Sequence, residues 1–113
     1  MDISLKGFDE KVCTFLCEPG VKKGDLVTIV DNGLVDTCTL EDLPVGICLC
    51  INGMYATVQL GGVATVKYAM LQPDYGFGHF VANSGKEIKS SAEGVPMTVL
   101  SVDASNNTVE ILF

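Results

Sequence analysis

Five cysteines and a single histidine are the residues of this sequence most able to bind a metal ion or attack a substrate. The cysteines are Cys13, Cys17, Cys38, Cys48 and Cys50, and their spacing differs from the C-x2-C pairs of zinc knuckles. In a strand, Cys48 and Cys50 would project from one face about 7 Å apart, and a zinc site could form there with Cys38. We favour the simpler interpretation that the cysteines are small hydrophobic residues packed inside a reduced protein.

The other candidate groups indicate no catalytic site. His79 would act as a general base only with a positioned partner and a pocket, and the sequence around it is typical of a loop-to-strand junction. The glycine-rich residues 76–78 precede a predicted strand, whereas a dinucleotide site needs a helix there. The adjacent acids Glu41 and Asp42 are typical of solvated or capping positions. We therefore expect a protein that is not an enzyme and that uses no metal and no cofactor.

Composition and charge limit the class of protein. A chain of 113 residues with a hydrophobic fraction of 48% is long and apolar enough for one folded domain. Fourteen acids oppose seven bases, all of them lysine, and the net charge of −7 argues against nucleic-acid binding. The first residues lack the pattern of a secretory signal, and the odd cysteine count favours a reducing cytoplasm. We expect one β-domain over residues 1–113, with a flexible arm at residues 1–7 and no membrane segment.

The strongest structural signal is the pair Asn52-Gly53, which stands between two runs of strand-forming residues. Such a pair predicts a two-residue type I′ hairpin, because both central residues of that turn need positive φ. This register would place Ile51 opposite Met54 and would make that face entirely apolar, as expected of a core. The other face, which carries Cys50, would be either a second buried layer or a surface that meets another chain.

Short strands bounded by turns account for the rest of the sequence. Residues 12–17 are expected to form a strand, although a helix also fits their apolar spacing. Asn32-Gly33 predicts a further hairpin, and residues 69–78 combine apolar side chains with Pro and Gly as loops do. Eight to ten short strands with turn signals every 8–12 residues predict an all-β fold with little helix, a small antiparallel β-barrel or sandwich of hairpins. No repeat of fixed period is found.

Four segments together resemble a known family. They are residues 6–12 (KGFDEKV), 21–27 (VKKGDLV), 44–47 (PVGI) and 56–68 (ATVQLGGVATVKY), followed by a Tyr-Gly segment and a closing hairpin. This order is similar to that of small phage and prophage head-decoration proteins, also called capsid cement proteins. The resemblance covers most of the chain, and each segment is a packing or turn pattern. It implies a compact β-fold that binds the outside of an assembled capsid and stabilises it, with no catalytic residues.

The resemblance also implies partners and a location. The partners would be the major capsid protein and other copies of this chain in a homotrimer, without nucleic acid or membrane, on the capsid exterior of a virion made in the bacterial host cytoplasm. Leu5 and Phe8 could add a strand to a neighbour's sheet, and Leu71, Tyr75 and Phe77 could anchor a loop on a partner; both regions could instead cap the barrel. The alternative is a metal- or small-ligand-binding β-barrel module that uses the cysteines, whose number departs from the family's pattern.

Overall fold

In the part of the chain that the structure describes, ten β-strands form two closed barrels of five strands each. The computed structural model describes residues 11–113. Barrel 1 contains β1 (Lys11–Cys17), β2 (Leu26–Asp31), β3 (Leu34–Thr37), β4 (Gly46–Asn52) and β5 (Tyr55–Gly61). Barrel 2 contains β6 (Val63–Tyr68), β7 (Gly76–Ala82), β8 (Glu87–Ser90), β9 (Val95–Asp103) and β10 (Thr108–Leu112). The predicted all-β fold is confirmed, and its form is the barrel.

The two barrels share one topology. In each, the first strand runs parallel to the third and antiparallel to the fifth, and the second strand lies between the third and the fourth. A β-bulge interrupts the last hairpin at the same place, at Leu49 in barrel 1 and at Leu100 in barrel 2. The fold is therefore a tandem repeat, which the search for a fixed sequence period missed.

Different spacings hide this repeat in the sequence. Val12 and Val63 occupy equivalent positions, opposite Gln59 in β5 and Leu112 in β10, and are 51 positions apart. In the third strands the equivalent residues Val35 and Ile88 are 53 positions apart. Because loops of different length separate the strands, no single period relates the two halves.

Each barrel encloses its own apolar side chains. The interior of barrel 1 contains Val27, Val35, Cys48, Ala56 and Val58, all of them buried. The interior of barrel 2 contains Phe80, Ile88, Val99, Val109 and Ile111, which are also buried. Alternation along the strands places these residues inward, and their removal from water is the main contribution to stability.

The hairpin at Asn52-Gly53 forms, but with a register different from the predicted one. Asn52 pairs with Tyr55, so the two loop residues are Gly53 and Met54. Gly53 has a φ of 64° whereas Met54 does not have positive φ, which rules out the predicted type I′ turn. Met54 is consequently exposed, and the prediction that it belongs to a core face was wrong.

The bulge at Leu49 explains why the predicted faces of this hairpin were also wrong. Cys48 lies opposite Val58 in the barrel interior, whereas Cys50 lies opposite Thr57. Since neighbouring residues of β5 project to opposite faces, the two cysteines also project to opposite faces. Bulges increase strand twist and bending, which a five-stranded sheet needs in order to close.

The barrels pack against each other through one apolar contact and several polar ones. Leu26, Cys38 and Ile47 of barrel 1 belong to the same buried cluster as the interior of barrel 2. The backbone nitrogen of Leu26 donates to the carbonyl of Gly85 at 2.8 Å, which joins β2 to the turn between β7 and β8. Three side chains of barrel 1 therefore extend the core of barrel 2, whereas the interior of barrel 1 is a separate cluster.

A buried carboxylate stabilises this junction. Asp25 accepts hydrogen bonds from the Lys22 backbone nitrogen at 2.9 Å and from the Thr37 hydroxyl at 3.0 Å, and its Oδ1 lies 2.6 Å from Nζ of Lys86. Burial alone would raise the pKa of Asp25, but Lys86 and the two hydrogen-bond donors outweigh it and hold that pKa below its usual value. Asp25 is therefore a charged residue between the two barrels, and both of its carboxylate oxygens have hydrogen-bond or ion-pair partners.

Candidate interaction surfaces

The most exposed apolar surface lies in the loop between β6 and β7 and at the start of β7. We call it the loop patch; it consists of Met70, Leu71, Tyr75 and Phe77, whose exposed fractions are between 71 and 84%. Three of these residues, Leu71, Tyr75 and Phe77, are the anchors predicted from the sequence, and all three are accessible to a partner. Several large apolar side chains that are exposed near one another mark an interaction site more often than a single exposed one does.

The fold fixes the loop patch at both ends and in the middle. The backbone nitrogen of Ala69 donates to the carbonyl of Ile88 at 2.9 Å, and Pro73 is buried. Gly76, with a φ of 90°, turns the chain into β7. Met70 has a φ of 68°, a left-handed conformation that is rare for residues with a side chain and that is maintained only where the surrounding structure determines it. The loop therefore presents its apolar side chains from a defined backbone.

The second predicted contact region lies outside the residues that the structure describes. Leu5 and Phe8, like the whole of the expected arm at residues 1–7, precede residue 11. Their role as an added strand stays a prediction.

Sequence reasoning missed a second apolar surface, at the far end of barrel 1. Met54 and Tyr55 at the tip of the β4–β5 hairpin are exposed, and Leu16 of β1 lies opposite Tyr55. Ile29 and Val30 are exposed near the end of β2. Gly53 is the residue that could have indicated this surface. If Gly53 is taken as the first loop residue of the hairpin, Met54 becomes the second loop residue and lies outside the paired strands.

His79 lies on the outer face of β7 beside the loop patch. It is exposed, and its ring meets that of Phe77 edge to face, with 5.2 Å between the ring centres and an interplanar angle of 86°. This is a common aromatic packing geometry. The arrangement places His79 at the border of the loop patch, on the outer face of β7.

The cysteines fall into two groups that differ in their surroundings. Cys38 and Cys48 are buried, as the packing interpretation predicted, whereas Cys13 and Cys50 are exposed and Cys17 is half-buried. Burial, with the charges of Asp42 and Asp36, raises the pKa of Cys38 to about 12. Burial also raises the pKa of Cys48, and the charge of Asp25 adds to the effect. Both buried thiols are therefore protonated and unreactive at neutral pH.

The predicted alternative of a zinc site would need Cys38, Cys48 and Cys50 to converge. The structure puts Cys48 and Cys50 on opposite faces of β4. Between residues 11 and 113, no three His, Cys, Asp or Glu side chains lie close enough together to hold a metal ion.

A cleft of about 410 Å³ runs between the barrels, along β4 and β6. Its walls include Ile47, Leu49 and Val63, and its charged lining residues are Lys23 and Glu110. This volume is in the range of small-molecule sites, which are mostly apolar with a few polar groups. A small ligand, as in the alternative interpretation, would fit in this cleft.

Comparisons with known proteins add no assignment. Neither a scan against protein-family models nor a search of curated proteins finds a match for this chain. Residues 11–113 also contain no helix with the length and apolar character needed to span a lipid bilayer.

Proposed function

We propose that this chain is a non-enzymatic structural protein that binds the outer surface of a phage or prophage capsid and stabilises it. Its partners in this proposal are the major capsid protein and other copies of itself in a homotrimer. Its location is the exterior of the virion, after synthesis in the cytoplasm of a bacterial host. The proposal is supported by the sequence resemblance to head-decoration proteins and by the exposed loop patch.

The loop patch is the observation that carries the proposal. Complete burial of a large apolar side chain stabilises by about 1.5–3 kcal/mol, so four such side chains provide a substantial contact for one small chain. A homotrimer would present three copies of this patch. On a symmetric shell the three contacts reinforce one another, because the second and third bind at a high effective concentration.

The charge and the rigid framework agree with such a role. A net charge of −7 keeps the chain soluble and favours docking on a less acidic surface. Two closed barrels have few free strand edges, which limits non-specific pairing between chains in solution. A capsid-stabilising protein needs these properties and a specific contact surface, and it needs no reaction centre.

A capsid rupture assay tests the proposal. DNA-filled capsids that lack the decoration protein, from the same phage or prophage, are heated with and without the purified chain, and DNA release is followed with a fluorescent dye. The rupture temperature should rise when the chain is present and should not change with an unrelated acidic protein of similar size. Equal rupture temperatures with and without the chain would contradict the proposal.

A further inference from the structure

The contact between the two barrels joins specific equivalent elements. Leu26 and Ile47 face away from the interior of barrel 1, since their neighbours Val27 and Cys48 face into it. Both residues are buried in the cluster of barrel 2. The outer face of β2 and β4 in barrel 1 is therefore the surface that covers barrel 2, and we call it the covering face.

The first strand of barrel 2 lies beside this contact. Strand β6 pairs with β8 only at Lys67 and Tyr68 within the described chain, which leaves the beginning of β6 without a strand on that side. Val63, at this beginning, is nevertheless only 3% exposed, and Ala64 packs on the cluster that contains Leu26. The beginning of β6 is thus buried beside the junction between the barrels, along the cleft that separates β6 from β4.

The equivalent edge of barrel 1 has no such cover among residues 11–113. Strand β1 pairs with β3 only at Leu16 and Cys17. Val12, the equivalent of Val63, is 53% exposed. Cys13 is exposed although it lies opposite Val58, which faces the barrel interior. An edge that is buried in one barrel is therefore open in the other.

Barrel 2 has a surface equivalent to the covering face of barrel 1. The pairings of β7 with β8 and of β2 with β3 make His79 the equivalent of Leu26. In the next strand Leu26 pairs with Ile47 and His79 pairs with Pro96. The alignment of the last hairpins makes Thr98 the equivalent of Ile47, and Thr98 lies on the same face of β9 as Pro96. His79 and Pro96 are exposed, and the ring of Phe77 adjoins His79. Barrel 2 therefore has an equivalent of the covering face that covers nothing among residues 11–113.

We infer that the covering face of barrel 2 in one chain, around His79 and Pro96, binds the open β1 edge of barrel 1 in the next chain, around Val12 and Cys13. This contact repeats between chains the barrel–barrel contact inside each chain. It is head-to-tail, so it uses two different surfaces and closes only as a ring. A ring of three chains then contains six equivalent barrels. The inference deepens the homotrimer of the proposed function and rests on it for the number of chains.

Cross-linking between two differently marked chains tests the pairing of these surfaces. Both chains carry Cys50→Ser; one keeps Cys13, and the other carries Cys13→Ser with Pro96→Cys. The two purified proteins are mixed and treated with a short bis-maleimide. We expect a covalent dimer of the two different chains, with the linker between position 13 and position 96 by peptide mass spectrometry. A chain with Cys13→Ser and Cys50→Ser alone measures any contribution of Cys17.

Two results would overturn the inference. One is a linker between two copies of Cys13, which indicates a symmetric contact between β1 edges. The other is a mixture that yields no cross-linked dimer at all at concentrations where the chain self-associates.

The mass of the free protein gives a second, independent measurement. Light scattering should give three times the chain mass of 12.0 kDa for the native chain, and Val12→Glu should give the monomer. Leu40→Glu is the matched control, because Leu40 is 59% exposed and lies outside both exposed apolar surfaces; it should leave the oligomer intact. Equal loss of self-association in both variants would contradict the proposed face. These measurements use no capsid, so a failure here is distinct from a failure to stabilise capsids.

Discussion

Nζ of Lys86, directly before β8 in barrel 2, lies 2.6 Å from Oδ1 of Asp25, directly before β2 in barrel 1. A second ion pair of equal length joins Lys89 to Glu41, but the carboxylates differ: the Asp25 side chain is 6% exposed and that of Glu41 is 61% exposed. A lysine that neutralises a buried carboxylate contributes more to stability than one that pairs with a solvated carboxylate. The two pairs thus compare a lysine beside a buried carboxylate with a lysine beside an exposed one.

Replacement of Lys86 by Met should lower the free energy of unfolding by about 2 kcal/mol, because it removes a charged hydrogen bond from a buried carboxylate. Lys89→Met is the control and should lower it by about 0.5 kcal/mol, as expected of a pair with an exposed partner. Urea denaturation of both variants measures the difference. Equal losses in the free energy of unfolding would contradict a larger contribution from the ion pair with the buried carboxylate.

Acid should weaken the contribution of Asp25. Its pKa is lower in the folded chain than its ordinary value of 3.8, so below that value the unfolded chain binds a proton more readily than the folded chain does. Stability from this group is therefore complete above about pH 5 and is lost as the pH falls through the folded pKa. Urea denaturation at a series of pH values should show the native chain losing its advantage over Asp25→Asn between pH 5 and pH 2. A constant difference across this range would contradict the assignment.

Gly46 should not tolerate even one added methyl group. A Cβ at this position would overlap the carbonyl oxygen of Gln59 and contact a methyl group of Val58. Gly46→Ala should lower the free energy of unfolding by about 3 kcal/mol, as expected of overpacking against a backbone. The control is Gly53→Ala, where a Cβ would meet open space and only the positive φ is unfavourable, at about 1 kcal/mol. Thermal unfolding should rank the two variants in this order, and the reverse order would contradict the close contact of β4 with β5.

Thiol labelling should divide the cysteines by their surroundings. Cys13 and Cys50 should react with a maleimide within minutes at pH 7, because both are exposed. Cys38 and Cys48 should react only after unfolding, because burial raises the pKa of each. Peptide mass spectrometry after timed labelling identifies each site. Rapid labelling of Cys48 in the folded chain would contradict its place inside barrel 1.

Substitutions in the loop patch should separate stability from capsid binding. Leu71→Ser and Tyr75→Ser should change the free energy of unfolding by less than about 0.5 kcal/mol, because both side chains are exposed. In the proposed function each should weaken binding to capsids about tenfold or more. Leu40→Ser, in the connection between β3 and β4, is the control for loss of an exposed leucine and should bind normally. Co-sedimentation with capsids measures this, and equal binding by all three variants would remove the loop patch from the contact.

Local patterns in the sequence were sufficient to predict the strands and the fold class. Residues 12–17 form a strand, and Asn52-Gly53 does mark a hairpin. The register of that hairpin could not be predicted, because it depends on the bulge at Leu49. That bulge belongs to the closure of a barrel, which involves strands far apart in the chain.

The tandem repeat and the open edge of β1 could not be predicted from sequence patterns either, because both depend on how distant strands pack. Equivalent interior positions hold different residues, such as Val27 and Phe80, since each barrel fills its own volume. Cys13 illustrates the second difficulty. Its place opposite Val58 directs it towards the barrel interior, but its exposure depends on where β3 begins, because β3 pairs with β1 only from Leu16 onward.

Electron cryo-microscopy of undecorated capsids incubated with the purified chain tests the central claim most directly. The account predicts ordered density on the outer capsid surface at symmetry axes, into which the paired barrels fit with the loop patch towards the shell. Capsids that show no added density at saturating protein concentration would contradict it.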